Sequence, residues 1–173
     1  MDRASPHPRL QALVFMGVSG CGKSSAAKAC ADALGWPMLE GDSYHAPANV
    51  AKMHAGTALT DADRSGWLDR LAGLLADAAA PGLVLTCSAL RKRYRDQLRR
   101  AQPQLGFVFL RLDEKEALAR VQMRPGHFFS PALVADQFAT LESPEGEANV
   151  LTVDATASIA EIVAQTVAWL GAT

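Results

Sequence analysis

The run Gly17-Val-Ser-Gly-Cys-Gly-Lys-Ser24 constrains this chain more than any other stretch. It meets the spacing G-x-x-x-x-G-K-[ST] at Gly17, Gly22, Lys23 and Ser24, a pattern whose backbone N–H groups wrap around phosphate oxygens. Its context fits. Leu13–Met16 reads as a buried strand, and Ser25–Leu34, rich in alanine, reads as a helix whose N-terminus attracts phosphate. The residues expected to hold a nucleotide are therefore Gly17, Val18, Ser19, Gly20, Cys21, Gly22, Lys23, Ser24 and Ser25. In such a loop the lysine reaches the β- and γ-phosphates and the Ser24 hydroxyl ligates Mg²⁺. Cys21 sits where a helix N-terminus lowers a thiol pKa, but a small residue lending only its backbone accounts for it more simply.

Around this loop, apolar runs alternate with helical patterns. Strands are expected at Leu13–Met16, Met38–Glu40, Leu83–Cys87, Phe107–Leu112 and Val150–Val153. That alternation predicts an α/β sandwich, a five-stranded parallel sheet flanked by helices on both faces. At 173 residues the chain suits a single domain, with Met1–Arg9 a loose tail. A net charge of −1 gives no reason to expect a nucleic-acid or membrane partner. Three irregularly spaced cysteines make no disulfide framework and suit a reducing, cytoplasmic compartment. No apolar run approaches the length of a membrane span.

Two helix starts stand out. Thr60-Asp-Ala-Asp63 reads as a capping-box variant ahead of a stripe formed by Trp67, Leu68, Leu71, Leu74, Leu75 and Ala78. Asp113-Glu-Lys-Glu116 resembles another, and Arg120 and Arg124 then share one helix face before Pro125-Gly126 interrupts it. A basic face followed by a break suits a lid over phosphates, and it equally describes a solvated face with a turn. Trp36, Trp67 and Trp169 are expected in the core or a cleft wall.

Glu40-Gly-Asp-Ser-Tyr-His45 follows the second strand and so lies at the carboxyl edge of the sheet, near the phosphate loop. There Asp42 could accept the proton of an attacking hydroxyl or hold an Mg²⁺-bound water; the plainer reading is a turn aspartate. His45 could bond a polyol or be exposed and idle. His7, His54 and His127 show no metal-ligand spacing with it. The strand ending at Cys87 lacks the acidic residue often found there in phosphate-loop proteins, which gives Asp42 more weight for the metal. Ser88 is expected to cap the next helix, and could also touch substrate. Arg91, Arg95 and Arg99 recur at i, i+4, i+8. They are open to three readings: a solvated face, a nucleic-acid patch, or a cleft in which Arg91 or Arg95 holds an anionic substrate.

Beyond the phosphate loop, several marks occur together: Glu40-Gly-Asp-Ser-Tyr-His45; Asn49-Val-Ala-Lys-Met53 with Gly56; Leu59-Thr-Asp-Ala-Asp-Arg64 with Trp67-Leu68; Cys87-Ser-Ala-Leu-Arg91 with Tyr94-Arg-Asp96; Arg124-Pro-Gly-His-Phe128; Gln137; and Leu141-Glu-Ser-Pro144. In this set the chain resembles, from about Leu13 to Leu170, the gluconate kinase (gluconokinase) family of small phosphate-loop kinases, relatives of shikimate kinase. The resemblance implies a P-loop NTPase fold and transfer of the ATP γ-phosphate to the 6-hydroxyl of D-gluconate. It implies Asp42 as base, Lys23, Arg120 and Arg124 as stabilisers of the transferring charge, and Arg64 as holder of the carboxylate. His45, Lys52, Trp67, Ser88, Arg91, Arg95 and His127 complete the expected substrate contacts, and Ser24 with Asp42 the metal site. A substrate-binding segment at about 43–79, a lid near 120–138 and a homodimer are likewise implied. Arg91 departs from the lysine common in the family, and Cys21 from a common serine. Rival readings are a kinase of another small hydroxy acid such as shikimate, and an ATP-binding regulator without catalysis.

Overall fold

The computed structural model describes residues 9–123 and 130–172. The expected Arg124 and His127 contacts lie outside the described residues. The order of elements is β1 (Ala12–Met16), α1 (Lys23–Leu34), β2 (Met38–Glu40), α2 (Pro47–His54), α3 (Asp61–Ala76), β3 (Leu83–Thr86), α4 (Lys92–Ala101), β4 (Leu105–Arg111), α5 (Glu114–Gln122), α6 (Pro131–Thr140), β5 (Val150–Asp154) and α7 (Ile159–Ala172). A short 3-10 turn, Gly41–Tyr44, follows β2.

All strand pairs are parallel, in the order β2-β3-β1-β4-β5. The pattern of β1 explains the layers. Every residue of Ala12–Met16 is buried, because a central parallel strand has helices on both faces. Leu13 and Phe15 join one core with α1 and α7, while Ala12, Val14 and Met16 join the other with α3 and α4. Two glycines let tryptophans close these layers. A Cβ at Gly82 would stand 2.4 Å from the Trp36 ring, and one at Gly106 would stand 2.8 Å from Trp169. β4 accordingly starts at Leu105, two residues before its sequence expectation, since Gly106 pairs in register with Leu13 and accepts Trp169 above it.

Chain order sets the site. The neighbours of β1 are β3 and β4, so connections leave to opposite sides and a crevice opens at the carboxyl edge there. The segments following β1, β2 and β3 converge on that crevice.

Candidate active site

The phosphate loop is held in shape by its own geometry. Gly17 has φ +148, and a Cβ there would meet Leu110 O at 2.9 Å and Cys21 Sγ at 2.8 Å. Gly22, in the left-handed region, is the N-cap of α1 and offers no side-chain cap. The first N–H groups of a helix have no partner within it, so this helix start suits an anion. Lys23 Nζ donates to Gly17 O at 2.9 Å and Val18 O at 3.0 Å, which ties it across its own loop. Ser19, Gly20, Gly22, Lys23, Ser24 and Ser25 all line one cleft.

Asp42, His45, Arg64, Trp67 and Ser88 form the cleft's other wall. Gly41 fixes where Asp42 stands. Its N–H donates to Thr86 Oγ1 at 3.1 Å, and its carbonyl accepts from Trp67 Nε1 at 2.8 Å. Thr86 in turn donates to Glu40 Oε2 at 2.7 Å. A Cβ at Gly41 would lie 1.9 Å from Thr86 O, a distance no side chain tolerates. The backbone before Asp42 is thus clamped between β3 and α3, while the Asp42 side chain remains 59% exposed to the cleft.

The His45 ring stacks on Trp67 at 4.1 Å, and its side chain is almost wholly buried. Burial pushes its pKa below the ordinary value; Asp42 opposes that shift and Arg64 adds to it. Asn49 Nδ2 donates to Asp63 O at 2.8 Å and lies 3.4 Å from His45 Nδ1. An amide nitrogen offers only protons, so neutral His45 carries its own proton on Nε2, 3.9 Å from the Asp42 carboxylate.

Several expected contacts fall elsewhere. Arg95 is fully buried and turned away from the cleft. It donates to the carbonyls of Ala89 and Glu142 at 2.7 and 2.9 Å and pairs with Glu147 at 2.7 Å. Arg99 pairs with the same Glu147 at 2.9 Å, and Arg91 approaches Glu142 at 3.7 Å. Arg95 and Arg99 therefore face inward against Glu147, Arg91 lies half-exposed beside Glu142, and none of the three lines the cleft. Arg95 anchors the segment around Ala89, a non-glycine residue held at φ 47. Lys52 is engaged by Asp63 at 2.7 Å and is not in the cleft wall. Ser88 is not a helix cap, because α4 starts at Lys92 with Arg91 as its N-cap; its place is in the cleft. Arg120 lies beside the phosphate loop, bonded to Glu116, Gly20 O and Ala155 O at 3.1, 3.3 and 3.4 Å, rather than in the cleft lining.

The structure adds residues that no local pattern singled out. Gln137, buried on α6, accepts from the Ser19 N–H at 2.6 Å and joins Leu133 and Asp136 in the cleft wall. Its only sequence signal was its place among the family marks, since its partner is 118 residues away. All three cysteines are free and buried. Burial pushes the Cys87 thiol up to about 12, which keeps it protonated. Among the described residues no group of three or more metal-ligating side chains gathers. The cleft instead offers the Ser24 hydroxyl and the Asp42 carboxylate, the sparse oxygen set Mg²⁺ uses when phosphates supply the rest.

A family model described as an AAA domain matches residues 13–144. A gluconokinase of Gluconobacter oxydans is 46% identical over 82% of this chain and 80% of its own length. The thermoresistant gluconokinase of Escherichia coli is 40% identical over 89% and 90%. A gluconokinase crystal structure from Sinorhizobium meliloti superimposes with a TM-score of 0.86 at 42% identity, over 96% of this chain and 94% of that one. The parallel sheet, the phosphate loop and the carboxylate facing it make this an ATP-using phosphate-loop kinase. The chain belongs to the gluconokinase family.

Proposed function

We propose that the protein transfers the γ-phosphoryl group of ATP to the 6-hydroxyl of D-gluconate. The observation that carries this reading is one cleft with a phosphate loop on one wall and Asp42, His45, Arg64 and Trp67 on the other. When bound, Mg-ATP supplies the phosphoryl group and the charge neutralisation of its oxygens. The phosphate loop, Lys23 and Ser24 hold that group, with Ser24 and Asp42 as the protein's contribution to Mg²⁺. Asp42 accepts the proton of the acceptor hydroxyl, and its fixed backbone supports that role. Arg64 holds the acceptor's carboxylate, for which a guanidinium has the matching fork of donors. Arg120, beside Gly20, contributes positive charge at the loop.

We read the chain as one kinase domain, with an acceptor-binding segment at about 43–79 and a lid near 120–138. No helix among the described residues is long and apolar enough to cross a membrane, and the three buried free thiols suit a reducing cytoplasm. A homodimer, implied by the family resemblance, is tested by light scattering of the purified protein.

The assay is ADP formation from Mg-ATP with and without D-gluconate, with shikimate and other sugar acids in parallel. Strong stimulation by gluconate alone is expected. Stimulation by shikimate in its place, or by no acid while ATP still binds, overturns the acceptor assignment.

A further inference from the structure

We propose that Tyr94 is a positioning residue for this reaction: it holds the Arg64 guanidinium in place for the acceptor's carboxylate, and Asp61 acts on Arg64 through it. The inference rests on the reading of Arg64 as the carboxylate holder. Arg64 lies on α3 in the cleft wall. Behind it on α4, Tyr94 is 5% exposed and does not line the cleft. Arg64 Nη1 donates to Tyr94 Oη at 3.2 Å, and its guanidinium carbon lies 5.7 Å from the centre of the tyrosine ring. Tyr94 Oη in turn donates to Asp61 Oδ1, and Arg93 donates to Asp61 Oδ2 from the other side.

The direction of this chain is forced. A guanidinium can only donate and an ionised carboxylate can only accept; a phenol does both. The order is therefore Arg64 to Tyr94 to Asp61. Asp61 is ionised over the working range, because hydrogen bonds from Tyr94 and Arg93 hold its carboxyl below the usual value. A direct Asp61–Arg64 ion pair would place a rival carboxylate on the fork the substrate needs. With tyrosine between them, the acid polarises the phenol and the phenol holds the arginine. That bond engages one of the five N–H donors a guanidinium carries. It also restricts a side chain rich in rotamers before any acceptor arrives, which lowers the ordering cost of binding.

The test compares Tyr94→Phe, Arg64→Ala and the double variant by steady-state kinetics and by calorimetric binding of D-gluconate, which needs no turnover. Phenylalanine keeps the ring and its packing and removes only the hydroxyl. The expected result is a KM and Kd for gluconate raised about five-fold. The change falls on those constants rather than on kcat or the KM for ATP. In the Arg64→Ala background, Tyr94→Phe adds nothing further, the signature of one coupled unit. Unchanged gluconate affinity in Tyr94→Phe, or an equal penalty with and without Arg64, overturns the positioning role and leaves the reading of Arg64 intact. Unchanged gluconate affinity in Arg64→Ala overturns that reading and the inference with it. Should Tyr94→Phe fail to fold, Asp61→Asn answers the same question: it keeps a hydrogen-bond acceptor and removes the charge, and the same shift confined to gluconate is expected.

Discussion

Asp42 shows how little of a reactive side chain's position is its own doing. Its backbone is placed by Gly41, which is placed by Thr86 and Trp67. Asp42→Asn keeps this frame and removes the proposed base. Its kcat should fall by about 10²- to 10⁴-fold with nucleotide affinity nearly unchanged, read by turnover assays beside ATP titration; equal turnover excludes the base role. His45 gives a prediction in pH. Its folded pKa lies below the ordinary 6.5 because it is buried. As the pH falls through that ordinary value, the unfolded chain takes up a proton that the folded ring refuses. Stability is therefore lost on acidification, down to the folded pKa. His45→Phe keeps an aromatic ring against Trp67 and cannot titrate. Urea unfolding between about pH 7.5 and pH 5 should show it losing less stability than the parent, and parallel losses would exclude His45 as the source. Asp42 and His45 were legible from their place after a strand end, and Arg64 and Trp67 as site residues only through the family resemblance; all four line the cleft. Arg95 and Lys52, expected as substrate contacts, are instead engaged by Glu147 and Asp63 outside the cleft lining, partners from other elements that no local pattern reveals.

Helix α3 carries Arg64 and Trp67 into the cleft wall. Thr60 Oγ1 accepts from Asp63 N at 3.1 Å, and Asp63 Oδ2 accepts from Thr60 N at 2.9 Å, the reciprocal cap expected from Thr60-Asp-Ala-Asp63. The same carboxylate takes Lys52 from α2. Hydrogen bonds from Lys52 and from the Thr60 backbone hold the Asp63 carboxyl down at about 2. The cap therefore stays intact to low pH, and what it contributes is lost only as the pH falls below the ordinary carboxylate range toward that value. Thr60→Ala should cost about 1 kcal/mol in chemical unfolding. It should also raise the KM for gluconate more than that for ATP, since Arg64 and Trp67 lie one to two turns beyond the cap. Loss of stability without that asymmetry would make the cap purely structural. This helix was legible because its signal is local. The start of α4 was not: Ser88 has the chemistry of a cap, but Arg95 and Glu142 draw the segment from Ala89 to Arg91 into a non-helical path.

Across the whole molecule, the parallel sheet was written in the alternation of apolar runs, and each of the five strands was found within two residues of its expected ends, while the order β2-β3-β1-β4-β5 was not legible there. What the sequence hid were contacts between distant parts, as where Glu147 receives Arg95 and Arg99. Burial pushes the Glu147 carboxyl up, and the two arginines outweigh it, so the group stays ionised. Glu147→Ala leaves Arg95 buried without its counter-charge and should cost about 3 kcal/mol, measured by denaturant unfolding; a cost near zero would mean that the two carbonyls alone satisfy it. The three tryptophans are also divided by place. Trp36 packs on Gly82 and Trp169 on Gly106, both within the helical layers, while Trp67 alone stands in the cleft wall, against His45. If the acceptor binds as proposed, Trp67 is the indole whose emission should report it, while Trp36 and Trp169, packed in the helical layers away from the cleft, should respond less, so that occupancy can be read without a label.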